Sequence, residues 1–299
     1  MSVIAYANSI EDVDVIPTGL FIDKLTGIGG IPRGKITEIY GDESIGKSSL
    51  CLQIVAQAQK QGLRCLWADV EWSYTTGYAT TLGVDNSKLG LIREQFGETT
   101  VDAIEEAVAS GEWDLVILDS VGGLLPRAEA EKSAEGRTIG AQAGMVAKFC
   151  RKVVPLLKMN NTALIVINHS VVDIMSGKIG ASGGRKLAFH KSISIRLKQK
   201  FGVTIKQGDR KVGKVVVGEV KKNKEAATEG MELDGQLIFG VGFSVAADIL
   251  NDAIDRGIIT KKGNTFFFGE TKLGIGLGKV RKLVEEDKEL LEEIKASLG

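Results

Sequence analysis

Cysteine and histidine are both scarce in this chain, and their scarcity closes off two kinds of chemistry. Three cysteines (Cys51, Cys65, Cys150), odd in number and widely spaced, stand beside only two histidines. That pattern excludes a disulfide framework and a Cys/His zinc site, and it suits a reducing, cytoplasmic setting. Long apolar runs are lacking too, since nothing approaches the ~20 residues a helix needs to cross a bilayer. Met1 to Gly19 shows neither the basic start nor the apolar stretch of an export signal, so neither a membrane partner nor export is expected. The formal net charge is +0, so composition alone does not announce a nucleic-acid partner. No internal repeat and no low-complexity linker is visible.

What is there is an ordinary soluble composition, 43% hydrophobic and 25% charged over 299 residues, enough for one large core with a small appended domain. The charge is unevenly spread. From Lys191 to Lys224 eleven Lys/Arg face only Asp209 and Glu219, and from Arg256 to Lys282 seven face only Glu270. Such runs are solvated faces or anion-binding surfaces, and charge alone does not choose between them.

Hydrophobic patterning predicts alternating strands and helices. Ile36–Tyr40 reads as a strand entering a Gly-rich loop, and Ser48–Gln61 as a helix with Leu50, Ile54, Val55 and Ala58 on one side. Leu63–Val70, Leu115–Leu118 and Ala163–Ile167 read as strands, the last two as runs buried on both faces of a parallel sheet. Val101–Ala109 and Ile139–Met159 read as helices, the latter despite Pro155. After Ser192 the texture turns to alternation, which predicts antiparallel strands extending the sheet. Helices over Ser244–Arg256 and Lys279–Leu298 flank a Gly-rich stretch. The expected fold is α/β with a mostly parallel central sheet, an antiparallel extension and a small C-terminal α+β domain. The expected divisions are 1–16, 17–240 and 241–299.

Gly41-Asp42-Glu43-Ser44-Ile45-Gly46-Lys47-Ser48 fits a phosphate-binding P-loop with a strand before it and a helix after it. Glycines at 41 and 46 let successive N–H groups point at phosphate oxygens. Lys47 brings a cation to the β/γ-phosphates, and Ser48 a hydroxyl to Mg²⁺. The octapeptide does not separate ATP from GTP. Asp119 follows the buried run Leu115–Leu118, where it serves either as the partner carboxylate for Mg²⁺ or as a helix cap. Hydrolysis needs a carboxylate to orient and deprotonate water. Glu71, at the end of the strand after the P-loop helix, is favoured over Asp69 two residues earlier.

Further segments match a known family in order and spacing. They are Gly34-Lys35-Ile36 through the P-loop, Asp69-Val70-Glu71 with Tyr78, Leu82-Gly83-Val84, Leu118-Asp119-Ser120-Val121 and Leu125–Glu129. Ile167-Asn168-His169, Gly183-Gly184, Lys222-Asn223-Lys224 and the stretch from Gly257-Ile258-Ile259 to Gly276–Lys279 complete the set. From about Pro17 to Leu298 the chain resembles the RecA family of recombinases. The resemblance implies an ATP- and Mg²⁺-dependent DNA recombinase and DNA-dependent ATPase. It implies a helical homo-oligomeric filament on single-stranded DNA that takes duplex DNA as its second partner.

By that resemblance Glu71 activates water, Tyr78 stacks on adenine, Ser49 and His169 join the nucleotide site, and His169 senses the γ-phosphate. Lys222 and Lys224 match lysines reaching the ATP of the neighbouring subunit, the physics of a cation placed in trans on developing phosphate charge. Glu131–Thr138 matches the first DNA-binding loop and Ser170–Ser182 the second, both expected to be mobile without DNA. Arg137, Ile139, Arg151, Lys178, Gly183, Gly184 and Arg185 are the DNA-contacting positions it implies.

The departures are informative. His169 stands where bacterial members carry Gln and the phage UvsX-type members His, so protonation there is expected to tune coupling between ATP and DNA. The second loop is short, with Val171, Val172 and Asp173. Gly144 replaces a common Arg, and Thr75 an acidic residue. Sixteen residues before Pro17 leave no room for the family's N-terminal helix, although Val3–Tyr6 suits a strand added to a neighbour. Two other readings stay open at this level: a non-catalytic mediator that binds ATP and DNA, and another oligomeric P-loop ATPase.

Overall fold

A computed structural model describes residues 13–131, 140–172, 179–181 and 184–298, with side chains in the helix Gly184–His190 described from residue 187. The centre is a ten-stranded sheet. Six strands run parallel in the order Leu89–Ile92, Cys65–Asp69, Leu115–Asp119, Ala163–Val172, Ile36–Gly41 and Ile193–Gln207. Arg210–Asn223, Glu232–Ile238 and Gly242–Phe243 continue it antiparallel, as the alternating sequence after Ser192 predicts.

Ile36–Gly41, Cys65–Asp69 and Leu115–Asp119 are buried at every residue, because helices cover both faces. Alternation divides their side chains between two cores. Leu115, Ile117, Ile165, Ile39 and Ile195 pack with Leu50, Ile54 and Val55 of the P-loop helix Lys47–Lys60. Val116, Leu118, Leu164 and Val166 pack on the other face, with Ile104 and Val108 of helix Gly97–Ala109 and Phe149 and Val153 of helix Ala141–Asn160. Pro155 is accommodated inside the second of these. The loops at the carboxyl ends of the parallel strands gather Gly41, Asp69, Asp119 and His169 at one rim, the place where such sheets bind ligands.

Two expectations meet a different outcome. The single helix expected over Lys279–Leu298 is two, Leu277–Glu286 and Lys288–Leu298. Asp287 breaks it: its N–H closes the first helix on Leu283 O (2.8 Å), while its carboxylate accepts from Leu290 N–H (3.0 Å) and starts the second. The second DNA-loop segment is not loop throughout its described part. Ser170–Val172 pairs antiparallel with Ile179–Ala181, so the strand through His169 runs on into a hairpin.

A third core holds Leu250, Ala253, Ile259, Phe266, Val280, Val284 and Ile294. It lies between three helices and the antiparallel sheet Ile259–Lys262, Thr265–Phe268 and Thr271–Ile275. Helix Val245–Asp255 ties it to helix Phe21–Thr26. Lys24 Nζ donates to Asp252 (2.8 Å) and Asp255 (3.2 Å), and Phe21 N–H donates to Asp248 (2.9 Å). Among the described residues no helix is long and apolar enough to cross a membrane.

Candidate nucleotide site

Gly46 sits at φ +109°, open to glycine, and a Cβ there would come within 2.8 Å of Leu237 Cδ2. This turn lets Lys47 begin its helix with the side chain folded back into the loop. Lys47 Nζ donates to Gly41 O (3.0 Å) and Asp42 O (2.9 Å) and is buried. Burial lowers the pKa of its ammonium, against the opposing pull of Asp119, Glu71, Asp42 and Glu43. Ser48 Oγ donates to Asp119 Oδ2 (2.8 Å), so hydroxyl and carboxylate share one spot. Burial pushes the Asp119 carboxyl up to about 6, with the Ser48 bond lowering it and Glu71 and Asp69 raising it. Hard oxygen donors of this kind suit Mg²⁺, which takes few protein ligands and completes its shell with water and phosphate oxygens. The pair fits the metal the motif implies.

Glu71 leaves the neighbouring strand at the same rim. Its Oε1 accepts from Ser120 Oγ and lies 3.1 Å from His169 Nε2, which is itself 3.3 Å from Ser120 Oγ. Burial raises the Glu71 carboxyl, but Ser120, His169 and Lys47 outweigh it and leave the group below its ordinary value. The carboxylate is therefore held ionised at one oxygen, with the other able to face water. Gly122 makes the closeness possible, because a Cβ there would stand 3.0 Å from His169 Cδ2. Asp69 is differently employed. It is buried, accepts from the N–H groups of Ser73 (3.0 Å) and Tyr74 (3.2 Å), and pairs with Arg93 (2.8 Å). It braces the turn that carries Glu71 and does not line the pocket.

His169 is anchored from beneath. Its N–H donates to Asn168 Oδ1 (2.9 Å), and Asn168 Nδ2 donates to Glu38 Oε1 (3.1 Å). Glu38 is fully buried in the P-loop strand, where Ser194 Oγ (2.7 Å) and the ammonium of Lys191 also donate to it.

One pocket of about 360 Å³, the size of a small-ligand site, lies above these groups. It brings together Glu43, Ser44, Gly46, Lys47, Ser48, Ser49, Glu71, Tyr78, Asp119 and His169, all singled out in the sequence. Tyr78 hydroxyl meets Ser49 Oγ at 2.7 Å. Gly41 and Asp42 contribute the carbonyls that hold Lys47, whereas the Ile45 side chain turns into the core.

Sequence reading gave no role to Ser120, which is buried behind Glu71 and His169, nor to Lys214 and the run Leu237–Gly240, which line the pocket. For Ser120 the readable signal was its place directly after Asp119. The others arrive by way of the antiparallel strands, which no local pattern ties to a P-loop. Lys222 and Lys224 are not in this pocket. They donate to Ala188 O and Phe189 O (3.0 Å) at the carboxyl end of helix Gly184–His190, where cations complement the helix dipole. Arg151 is exposed on helix Ala141–Asn160 and is also outside the pocket. Gly184 and Arg185 open helix Gly184–His190, while Arg137, Ile139, Lys178 and Gly183 lie outside the described residues.

Comparison with known proteins matches this architecture end to end. A family model for the RecA N-terminal domain matches residues 1–244, and one for the RecA C-terminal domain matches residues 247–298. The chain is similar to Protein RecA of Thermus aquaticus, 40% identical over 96% of this chain and 85% of that protein. It is similar to Protein RecA of Sulfurimonas denitrificans at 37% identity over 97% and 86% of the two chains. Protein RecA of Fusobacterium nucleatum is 36% identical, with 97% and 77% covered. With both domain models accounted for, and with relatives aligned along almost its whole length, the chain belongs to the RecA family.

Proposed function

We propose that this chain is an ATP-dependent DNA recombinase that polymerises on single-stranded DNA and promotes homologous pairing and strand exchange with DNA-stimulated ATP hydrolysis. The observation that carries the reading is the convergence of Lys47, Ser48–Asp119 and Glu71–His169 in one pocket, with buried Ser120 bonded to Glu71 beneath it. The loop N–H groups and Lys47 bind the phosphates, and Tyr78 and Phe239 form walls for an adenine. Ser48 and Asp119 would hold Mg²⁺, whose chemistry when bound would be to offset negative charge on the phosphates. Glu71 orients water and accepts its proton, with Ser120 and His169 fixing the carboxylate.

Lys222 and Lys224 act on the nucleotide of the next subunit, a role in keeping with their absence from the lining of the chain's own pocket. The strand Ala163–Val172 joins His169 to the hairpin of the second DNA segment, so nucleotide and DNA bear on one element. Residues 241–299 guide duplex DNA through the basic stretch from Arg256 to Lys282. A joint-molecule assay with single-stranded and supercoiled DNA tests the reading. Wild type should form joints with ATP, and Lys47→Ala and Glu71→Ala should not. Wild-type protein that neither pairs DNA nor hydrolyses ATP faster with poly-dT would refute it.

A further inference from the structure

The hairpin Ile193–Gln207/Arg210–Asn223 carries many lysines, and most of those near its base are neutralised by neighbours. Lys198 pairs with Glu219 (3.3 Å) and Glu232 (2.5 Å), Lys200 with Asp234 (2.5 Å), and Lys221 with Glu219 (2.9 Å). Lys214 differs. Among the described residues no carboxylate pairs with it, and its charged neighbour is Lys211, a like charge. Its Nζ reaches across to the phosphate loop and donates to Ser44 O at 2.6 Å. An ammonium carries three donors, so two more are left to aim, and Lys214 lines the pocket that holds Lys47, Tyr78 and Phe239. Partial burial and Lys211 together lower its pKa, the expected signature of a cation short of a counter-charge.

We infer that Lys214 is a second cation for the polyphosphate of the nucleotide, supplied by the chain's own antiparallel strand opposite Lys47. The inference rests on the ATP-binding reading above and deepens it. The loop is built from one side by the helix Lys47–Lys60, whose N–H groups and lysine face the phosphates from below. Lys214 comes from the sheet extension and closes the other side, hinged on the carbonyl of a residue within the loop itself. A cation at this place is available to a single subunit, before any neighbour brings Lys222 and Lys224. The fold then divides the work: Lys214 secures the nucleotide in the lone chain, and the trans lysines act once subunits assemble. It also links the nucleotide to the strand that carries Lys222 and leads directly into Lys224, so occupancy of the pocket and the position of the trans lysines share one element.

The test measures binding by the DNA-free protein with Mg²⁺ present. ADP, a non-hydrolysable ATP analogue and adenosine compete against a fluorescent ADP, with melting temperatures recorded without nucleotide. Lys214→Met and Lys214→Gln should weaken ADP and the ATP analogue by about tenfold, the loss of one charge-assisted hydrogen bond. Adenosine should change less than twofold, and Lys214→Arg should retain most of the affinity. Equal losses for adenosine and ADP, or unchanged affinities in both neutral variants with wild-type melting temperatures, would overturn the inference and leave ATP binding intact. Wild-type protein that binds neither ADP nor the ATP analogue would overturn the ATP reading and this inference with it.

Discussion

Replacing Lys191 with alanine should damage this protein far more than its position, well outside the nucleotide pocket, suggests. Lys191 and Glu38 form an ion pair whose side chains are only 10% and 1% exposed. Glu38 receives two further hydrogen bonds, from Ser194 (2.7 Å) and Asn168 (3.1 Å), both neutral donors. Lys191→Ala leaves the carboxylate buried without its counter-charge. Breaking one side of such a pair costs about 3–5 kcal/mol, a large part of the roughly 5–15 kcal/mol that holds a folded domain. In a chain of this size that lowers the melting temperature by roughly 5–8 °C. The double variant Glu38→Gln/Lys191→Met removes both charges but keeps an amide for Ser194 and Asn168, and it should recover most of the loss. Urea denaturation followed by circular dichroism measures the stability, and hydrogen exchange over Ile36–Gly41 localises it. A single-mutant cost below about 1 kcal/mol, or costs that simply add in the double variant, would show that water reaches the pair and that the reasoning is wrong.

Glu71→Gln should keep nucleotide affinity while turnover with single-stranded DNA falls by about 10²–10⁴, since only the proton acceptor is lost; an unchanged rate would move the base elsewhere. Asp119 has a raised pKa in the fold, so its contribution favours the folded state below its ordinary value of 3.8 and is lost as pH rises through about 6. Without Mg²⁺ or nucleotide, Asp119→Asn should therefore stabilise the protein at pH 8, by at most about 3 kcal/mol, and the gain should vanish near pH 4. Flat melting-temperature differences across that range would contradict it. Cys51, Cys65 and Cys150 are all buried, and burial raises their thiols, Cys65 to about 12 and Cys150 to about 11. A thiol reagent at pH 8 should therefore find no reactive group in native protein and three in denaturant.

The parts of the site that were legible in the sequence share one property: each lies next to a pattern with its own local physics. The P-loop spells out its turn and helix start, Glu71 follows a run that reads as a strand, and Asp119 closes a wholly apolar run that reads as a buried one. Lys214, Phe239 and Glu38 carry no such mark. Lys214 is one lysine among many on an alternating strand, and it reaches Ser44 only because the sheet reverses direction beyond Ile193–Gln207. Glu38 carries no signal of burial in its own segment, and its burial follows from the strands that flank it on both sides. The split at Asp287 was readable in principle, since an Asp before Lys-Glu-Leu-Leu is a helix start. The continuous heptad-like apolar spacing around it masked the signal.

Asn168 and His169 point to opposite faces of their strand, one toward the buried carboxylate and one into the pocket. Pairing with Ile36–Gly41 runs from Leu164 to His169 and stops there. Inserting or deleting one residue before Asn168 would exchange the two side chains and ruin both their tasks. Beyond His169 that count no longer matters to the catalytic rim. The hairpin proposed to face DNA is therefore a module whose length and composition can be rewritten by insertion or recombination without disturbing the register of Asn168 and His169. The strand itself tolerates substitution but not a change of length. A lineage of such proteins could explore new DNA preferences cheaply while its ATP site stays in register.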